Sequence, residues 1–144
     1  MIKVKLISSD EELEQAYRIR EEVFVVEQQV PKNLEYDEFE SECRHFIALS
    51  DGFPCATARW RFTKKGIKLE RFAVLQAFRS KGIGSELVKN VLEDIANIPE
   101  TKGKLIYLHA QVSAVPLYLK FGFGKEGEPF EEAGIEHYVM VKNS

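Results

Sequence analysis

KLERFAVLQAFRSKGIGSELVKNVL, residues 68–92, decides the fold. Its first eight residues carry Leu69, Phe72, Ala73, Val74 and Leu75 and read as a strand. Arg79-Ser80-Lys81-Gly82-Ile83-Gly84 breaks that pattern. From Ile83 onward Leu87, Val88, Val91, Leu92 and Ile95 recur at helical spacing, so the stretch reads strand, turn, helix. Gly82 and Gly84 stand where the helix begins, although glycine weakens a helix by roughly 1 kcal/mol relative to alanine. Two explanations fit. One is a turn that needs glycine. The other is an anion approaching the free N–H groups of the helix start, where the macrodipole also favours negative charge. Arg79 and Lys81 add positive charge there. The spacing is neither G-x-x-x-x-G-K-[ST] nor G-x-G-x-x-G, so neither a P-loop nor a dinucleotide fold is indicated.

On the N-terminal side of this stretch lie a strand at 3–7 and a helix capped by Ser8, Ser9 or Asp10, carrying Leu13, Ala16, Tyr17 and Ile19. Residues 22–27, EVFVVE, look more strand-like, so that helix is expected to end or bend there. Residues 28–42 contain Pro31 and the carboxylates of Glu35, Asp37, Glu38, Glu40 and Glu42 without a clear period. They read as a long loop, a length often tied to function. Strands at 43–49 and 55–63 form a hairpin around Asp51-Gly52, and Lys64-Lys65-Gly66 turns into the strand of the opening stretch. Beyond the motif helix, KLIYLHA at 104–110 reads as a strand buried on both faces. A short helix at 112–121, an acidic loop at 126–133 and a last strand at 135–141 complete the chain. The order β-α-loop-β-β-β-α-β-α-β predicts a mixed α/β (α+β) domain around one sheet, with residues 1–144 as a single domain.

Composition excludes several classes. With 44% hydrophobic and 30% charged residues the chain is expected to be a soluble globular protein. A net charge of −3 and no extended basic face argue against nucleic-acid binding, so the positive charge at Arg79 suits a small phosphate ligand. No apolar run of about 18 residues occurs, so no membrane span is expected. The N-terminus turns acidic at once and has no signal-peptide character, which makes the cytoplasm the expected location. Cys43 and Cys55 form no disulfide framework, and His45, His109 and His137 are scattered without metal-ligand spacing.

A second constellation lies at Gln111, Ala114, Tyr118, Gly122 and Phe123. Gln111 leaves the buried strand, Ala114 and Tyr118 follow on one helical face, and Gly122 suits the C′ position of a helix end. By itself Tyr118 reads as a core tyrosine.

Together the two motifs resemble the GNAT superfamily of acetyl-CoA-dependent N-acetyltransferases. R/Q-x-x-G-x-G/A matches Arg79, Gly82 and Gly84. N-x-x-A-x-x-x-Y-x-x-x-G-F matches Gln111, Ala114, Tyr118, Gly122 and Phe123, with glutamine where asparagine is commoner. Further matches at residues 20–31, His45, residues 68–71 and residues 133–137 resemble the YjcF-like (ElaA-related) branch. The resemblance implies the acyl-CoA N-acyltransferase fold, a mostly antiparallel sheet flanked by helices and splayed between two central parallel strands.

It also implies a chemistry. The N–H groups of Arg79, Ser80, Lys81, Gly82, Ile83, Gly84 and Ser85 would cradle the CoA pyrophosphate, with Gln111 and Tyr118 also at the cofactor. The backbones of Phe72, Ala73 and Val74 would pair with pantetheine, and the Val74 N–H would polarise the thioester carbonyl. A primary amine would attack directly within a ternary complex. Tyr118 would protonate the leaving thiolate, and Glu70, read as sharing strand parity with Phe72 and Val74, would be the base. The alternative for Glu70 is an ion pair with an arginine such as Arg59 or Arg71, and a water relay to His45 or His137 would be another route for the proton. Arg20, Glu21, Phe24, Glu27, Gln28, Trp60 and His137 are acceptor-site candidates, with Glu27 and the acidic residues 35–42 attracting a cationic amine. No metal is expected, and the family's habit of dimerising implies a homodimer. The competing functional class is a non-catalytic acyl-CoA-binding sensor or interaction module.

Overall fold

The computed structural model describes residues 1–143. Seven strands form one sheet in the order β1-β2-β3-β4-β5-β7-β6. They are β1 (Ile2–Leu6), β2 (Arg44–Ser50), β3 (Phe53–Phe62), β4 (Ile67–Val74), β5 (Leu105–Gln111), β6 (Gly124–Glu132) and β7 (Ile135–Asn143). Every neighbouring pair is antiparallel except the parallel pair β4 and β5. That one parallel pair needs a crossover, supplied by helix α3 (Ile83–Ala96); α1 is Asp10–Arg20, α2 Lys32–Glu35 and α4 Val115–Leu119.

The expected amphipathic stripe holds α3 to the sheet. Ile83, Leu87, Val88, Val91 and Ile95 are all buried, and each such side chain contributes about 1.5–3 kcal/mol by leaving water. They pack on Ala56, Ala58, Trp60, Ile67 and Leu69 of β3 and β4. Trp60 adds a polar tie, its Nε1 donating to Asp94 Oδ2 at 2.8 Å. A smaller cluster joins Ile19 and Val23 to Ala73 on the opposite face, so α1 covers the other side of the sheet. Ser9 caps α1, accepting from the Glu12 N–H at 3.2 Å.

Four local expectations change. Residues 21–27 stay helical as a π-helical segment, Glu21–Glu27, despite their β-branched residues. Val23 is buried against the sheet there, and that packing outweighs strand propensity. The segment 28–42 is not one open loop. It holds α2 and a 3₁₀ turn, Glu40–Glu42. The short helix after β5 is split into a 3₁₀ turn, Val112–Ala114, and α4. Residues 126–133, expected as an acidic loop, belong mostly to β6, which pairs with β7 at the sheet's edge. An edge strand with both faces largely in water carries no apolar alternation, and a register shift between Glu126 and Phe130 breaks its period further.

Candidate active site

The two central strands part company. β4 and β5 are paired only at Ile67–Leu69 and Ile106–Leu108, although β4 runs on to Val74 and β5 to Gln111. Beyond Leu69 and Leu108 a gap opens between their edges. A β-bulge shapes the β4 side of it. Thr57 pairs with Ala73 but Arg59 with Glu70, so Arg71 and Phe72 together face the single position of Ala58. Arg71 takes a left-handed φ of 57°, the distortion by which a bulge absorbs an extra residue.

That bulge corrects the expected side-chain parity of β4. Ile67, Leu69, Phe72 and Val74 pack into the α3-side core, while Ala73 packs with Ile19 and Val23 of the opposite face. Glu70 therefore does not share a face with Phe72 and Val74. The backbone direction fits the gap. Leu75 donates its N–H to Cys55 O across β3 at 2.9 Å. The alternation of an antiparallel ladder then turns the Val74 N–H to the other edge, toward the gap.

Into this gap opens a cavity of about 530 Å³ lined by Phe72, Tyr118, Gln111, Glu70, His109 and His137, among others. Phe24 and Gln28 also line it. Tyr118 is only 5% exposed and stands edge-on to the rings of Phe72 and Phe123, 5.9 Å from each centroid. Its hydroxyl makes no hydrogen bond to another described residue. Burial pushes the phenol well above its ordinary pKa, so it stays protonated. The sharp end of α4 sets this position. Phe123 donates its N–H to Tyr118 O at 3.2 Å, and Gly122 has the φ of 88° that a helix end of this kind requires.

Beside α4 lies the start of α3, where a Cβ on Gly84 would stand 3.4 Å from Leu117 Cδ2. Gly82 is its N-cap with φ 82°, and no side chain caps the helix. A Cβ at Gly82 would meet nothing within 4 Å, so glycine serves the left-handed turn rather than close packing. Ser80 is left-handed too, at φ 64°. The first-turn N–H groups thus lack an acceptor, which is the arrangement that receives anions. Lys81 and Ser85 belong to this turn, and Lys120 Nζ reaches Ser85 Oγ at 3.2 Å. Arg79 does not stand free. Its Nη1 and Nη2 both donate to the Glu27 carboxylate at 2.6 Å, and its Nε donates to Val74 O at 2.9 Å. The pair raises the pKa of Arg79 and lowers that of Glu27.

Glu70 is surrounded by cations. Arg59 Nη2 and Arg61 Nε lie 2.9 Å from its Oε1, and Lys68 Nζ 3.0 Å from its Oε2. Burial works to raise its pKa, but Arg59, with Arg61 and Lys68, overrides this and holds it down to about 2. The pairing alternative for Glu70 is thus what the side chains display. Its partners are Arg59, Arg61 and Lys68, whereas Arg71 turns to Glu35 and Asp37, 3.3 Å from each.

The acidic segment is likewise neutralised from within. Arg20, 1% exposed, bonds Glu35 and Glu40 at 2.8 and 2.7 Å. Arg59 bonds Asp37 and Glu40 at 2.7 and 2.9 Å. Burial would raise Asp37 and Glu40, yet these arginines pull both below the usual carboxylate range. The expectation that this segment forms an acidic lure for a cationic amine is corrected accordingly, because its inner carboxylates already hold arginines. Arg20 and Trp60 leave the acceptor list for the same kind of reason. Arg20 lies inside that network, and Trp60, 1% exposed, belongs to the α3-side core. Glu21 faces Lys32 instead, 3.3 Å away. Gln28 and Gln111 bond each other across the gap, Gln111 Nε2 donating to Gln28 Oε1 at 2.8 Å. His45 is held at Glu40 O, 2.7 Å away, and lies outside the cavity wall.

Sequence reasoning missed two groups. His109 Nδ1 lies 3.0 Å from Glu132 Oε1, and both line the cavity. His137 Nε2 approaches Glu132 Oε2 at 3.9 Å. A signal for His109 existed, since two residues before Gln111 on one strand is the same face. None existed for Glu132, which reaches the site only through β6.

A family model described as an acetyltransferase (GNAT) domain matches residues 7–144. YjcF of Bacillus subtilis, described as an uncharacterized N-acetyltransferase, is 39% identical over 99% of this chain and 100% of its own. ElaA of Escherichia coli is 31% identical over 87% of this chain and 83% of its own. The crystal structure of ElaA covers 99% of both chains with a TM-score of 0.82 at 27% identity. An acyl-CoA N-acyltransferase from Pseudomonas aeruginosa does so with a TM-score of 0.79 at 26% identity. The parted parallel strands and the two motifs beside them are therefore those of the acyl-CoA N-acyltransferase fold, and the chain belongs to the GNAT acetyltransferase family, in the branch of YjcF and ElaA.

Proposed function

We propose that this protein transfers the acetyl group of acetyl-CoA to a primary amine by direct attack in a ternary complex. One observation carries the reading. The gap between β4 and β5 opens beside an unbonded, protonated Tyr118 hydroxyl, within a cavity large enough for a small acceptor. The uncapped start of α3 supports the pyrophosphate role of residues 79–85. The bared edge of β4 supports pantetheine pairing with the backbones of Phe72, Ala73 and Val74. The Val74 N–H then sits where it polarises the thioester carbonyl, a donor whose loss typically costs on the order of 3 kcal/mol.

The amine nitrogen attacks the carbonyl carbon, the C–S bond breaks, and the sulfur takes the proton of Tyr118. Gln111 lies at the gap for the cofactor, and Phe24, Gln28 and His137 line the acceptor side. Glu70 fits a supporting role better than that of base, because a carboxylate with a pKa of about 2 binds protons poorly at neutral pH.

The test is thiol release from acetyl-CoA over a panel of primary amines, with CoA affinity measured in parallel. Wild type is expected to turn over, and Tyr118→Phe to lose roughly a hundredfold in kcat with CoA affinity kept. Binding without turnover across the panel would move the assignment to an acyl-CoA sensor. Equal turnover of Tyr118→Phe and wild type would remove Tyr118 from the mechanism.

A further inference from the structure

We propose that His109, oriented by Glu132, accepts the proton that the acceptor amine must lose; this rests on the transferase reading above. His109 is the first β5 residue past the last paired position, Leu108, so its backbone stands where the two strands separate. Ile106, Leu108 and Ala110 point into the α3-side core. Alternation then puts His109 and Gln111 on the other face, the one to which the bulge turns Glu70. His109 lines the same cavity as Tyr118.

The dyad has the geometry of an oriented base. Glu132 Oε1 takes Nδ1 of His109 at 3.0 Å, which fixes the tautomer with hydrogen on Nδ1 and leaves the lone pair on Nε2. Nε2 has no hydrogen-bond partner among the described residues. Phe130 stands edge-on to the imidazole at 5.1 Å and limits its rotation. The hydrogen bond from His109, above all, keeps Glu132 below the ordinary carboxylate range, so it remains an anion that stabilises an imidazolium. Of the other carboxylates that line the cavity, Glu70 has both oxygens held by cations, and Glu35 and Asp37 are bound to Arg20, Arg59 and Arg71.

The proton inventory balances. The ammonium form of the acceptor gives one proton to His109 Nε2. The neutral nitrogen attacks, the C–N bond forms and the C–S bond breaks with its electron pair going to sulfur. Sulfur takes the Tyr118 proton. The second proton leaving nitrogen refills the phenolate through water, and the imidazolium returns its proton to bulk. One proton is released per turnover.

Charged and titratable groups around His109 come from every neighbouring strand. They are Glu132 on β6, His137 on β7, Tyr107 on β5, Lys68 and Glu70 on β4, and Arg61 on β3. Glu132 is the anion bonded to the ring, so the pH profile of a variant without its charge tests the dyad.

The experiment compares n-butylamine with 2,2,2-trifluoroethylamine at pH 8, where the first is an ammonium ion and the second already a free amine. His109→Gln is expected to lower kcat/KM for n-butylamine about a hundredfold and for trifluoroethylamine less than about fivefold. Glu132→Gln is expected to lower the n-butylamine rate about tenfold and to shift the acid limb of the pH profile, with Glu132→Asp restoring part of it. Acetyl-CoA affinity, measured calorimetrically, stays within twofold in all three and shows that they fold. Equal losses with the two amines, or an unmoved acid limb in both Gln variants, would overturn the assignment while leaving the transferase reading intact. Absence of wild-type turnover across the whole amine panel would sink that reading, and this inference with it.

Discussion

The turn at residues 79–84 and the acidic segment at residues 35–42 are both dense in charge, and they flank the same gap. Their charges differ in what they can release. Arg79 and Glu27, the ion pair at the turn, are 38% and 34% exposed as side chains. Beside them the N–H groups of α3 have no cap. In the acidic segment Arg20 and Arg59 are 1% exposed as side chains and Arg71 24%, and these guanidiniums hold the carboxylate oxygens of Glu35, Asp37 and Glu40 apart from Glu35 Oε2. A wet, half-exposed pair exchanges partners at little cost. A buried network does not, since removing one member strands the others without solvent. Under the proposed function the turn is the part that receives a ligand, while the segment's buried pairs hold the fold. Sign and density of charge, which the sequence displays, do not separate the two. Burial does.

The sharpest way to break this comparison is Arg59→Ala. It strips partners from Asp37, Glu40 and Glu70 together. The expected loss is about 3–5 kcal/mol of stability, or a melting temperature lower by about 10 °C in calorimetry. A loss below about 1 kcal/mol would mean the network is solvated and the acidic segment free to meet a cationic acceptor after all.

Gly82→Glu attacks the turn instead. Any side chain there must adopt φ near 82°, and this one carries a negative charge to the start of α3. CoA affinity should fall at least about a hundredfold by calorimetry, with the melting temperature moving far less than in Arg59→Ala. Unchanged affinity would remove the turn from the cofactor site.

How much of this was readable beforehand follows from particular residues. The strand, turn and helix of residues 68–92 rest on local periodicity, and the structure keeps them almost to the residue. Tyr118 and Gln111 were placed by spacing, which a helix end preserves. The bulge at Arg71 was not readable, because a left-handed arginine leaves no mark in composition, and it reversed the face assigned to Glu70. Glu132 was not readable either, since β6 exists through pairing with β7 rather than through any pattern of its own. The buried state of Arg20 and Arg59 depends on chain segments far apart in sequence. Loss of solvent around a charge is a tertiary fact.

Glu70→Gln sharpens the comparison at the border of the two regions. Its folded pKa of about 2 lies below the ordinary 4.5. The ionised form therefore stabilises the fold above pH 4.5, and that contribution is lost as pH falls through the folded value near 2. The variant should be about 2 kcal/mol less stable at pH 7. Its stability should also change less than wild type between pH 5 and pH 2, as followed by urea melts across that range. With a supporting role, kcat falls by less than about tenfold. A loss above about a hundredfold with stability unchanged would instead make Glu70 the base.

The smallest effect is expected where the turn's own pair is loosened. Glu27→Gln removes the carboxylate that both Nη atoms of Arg79 contact at 2.6 Å, while the Arg79 bond to Val74 O remains. With the anion gone, Arg79 meets a pyrophosphate without competition, and CoA binding should tighten about threefold at low salt. That gain should shrink as ionic strength rises, because screening acts on an exposed pair. Melting temperature should stay within about 2 °C, in contrast to Arg59→Ala. Weaker CoA binding in this variant would reverse the reading. Glu27 would then be a brace that holds Arg79 in position for the cofactor, and the turn would share the fixed character of the acidic segment.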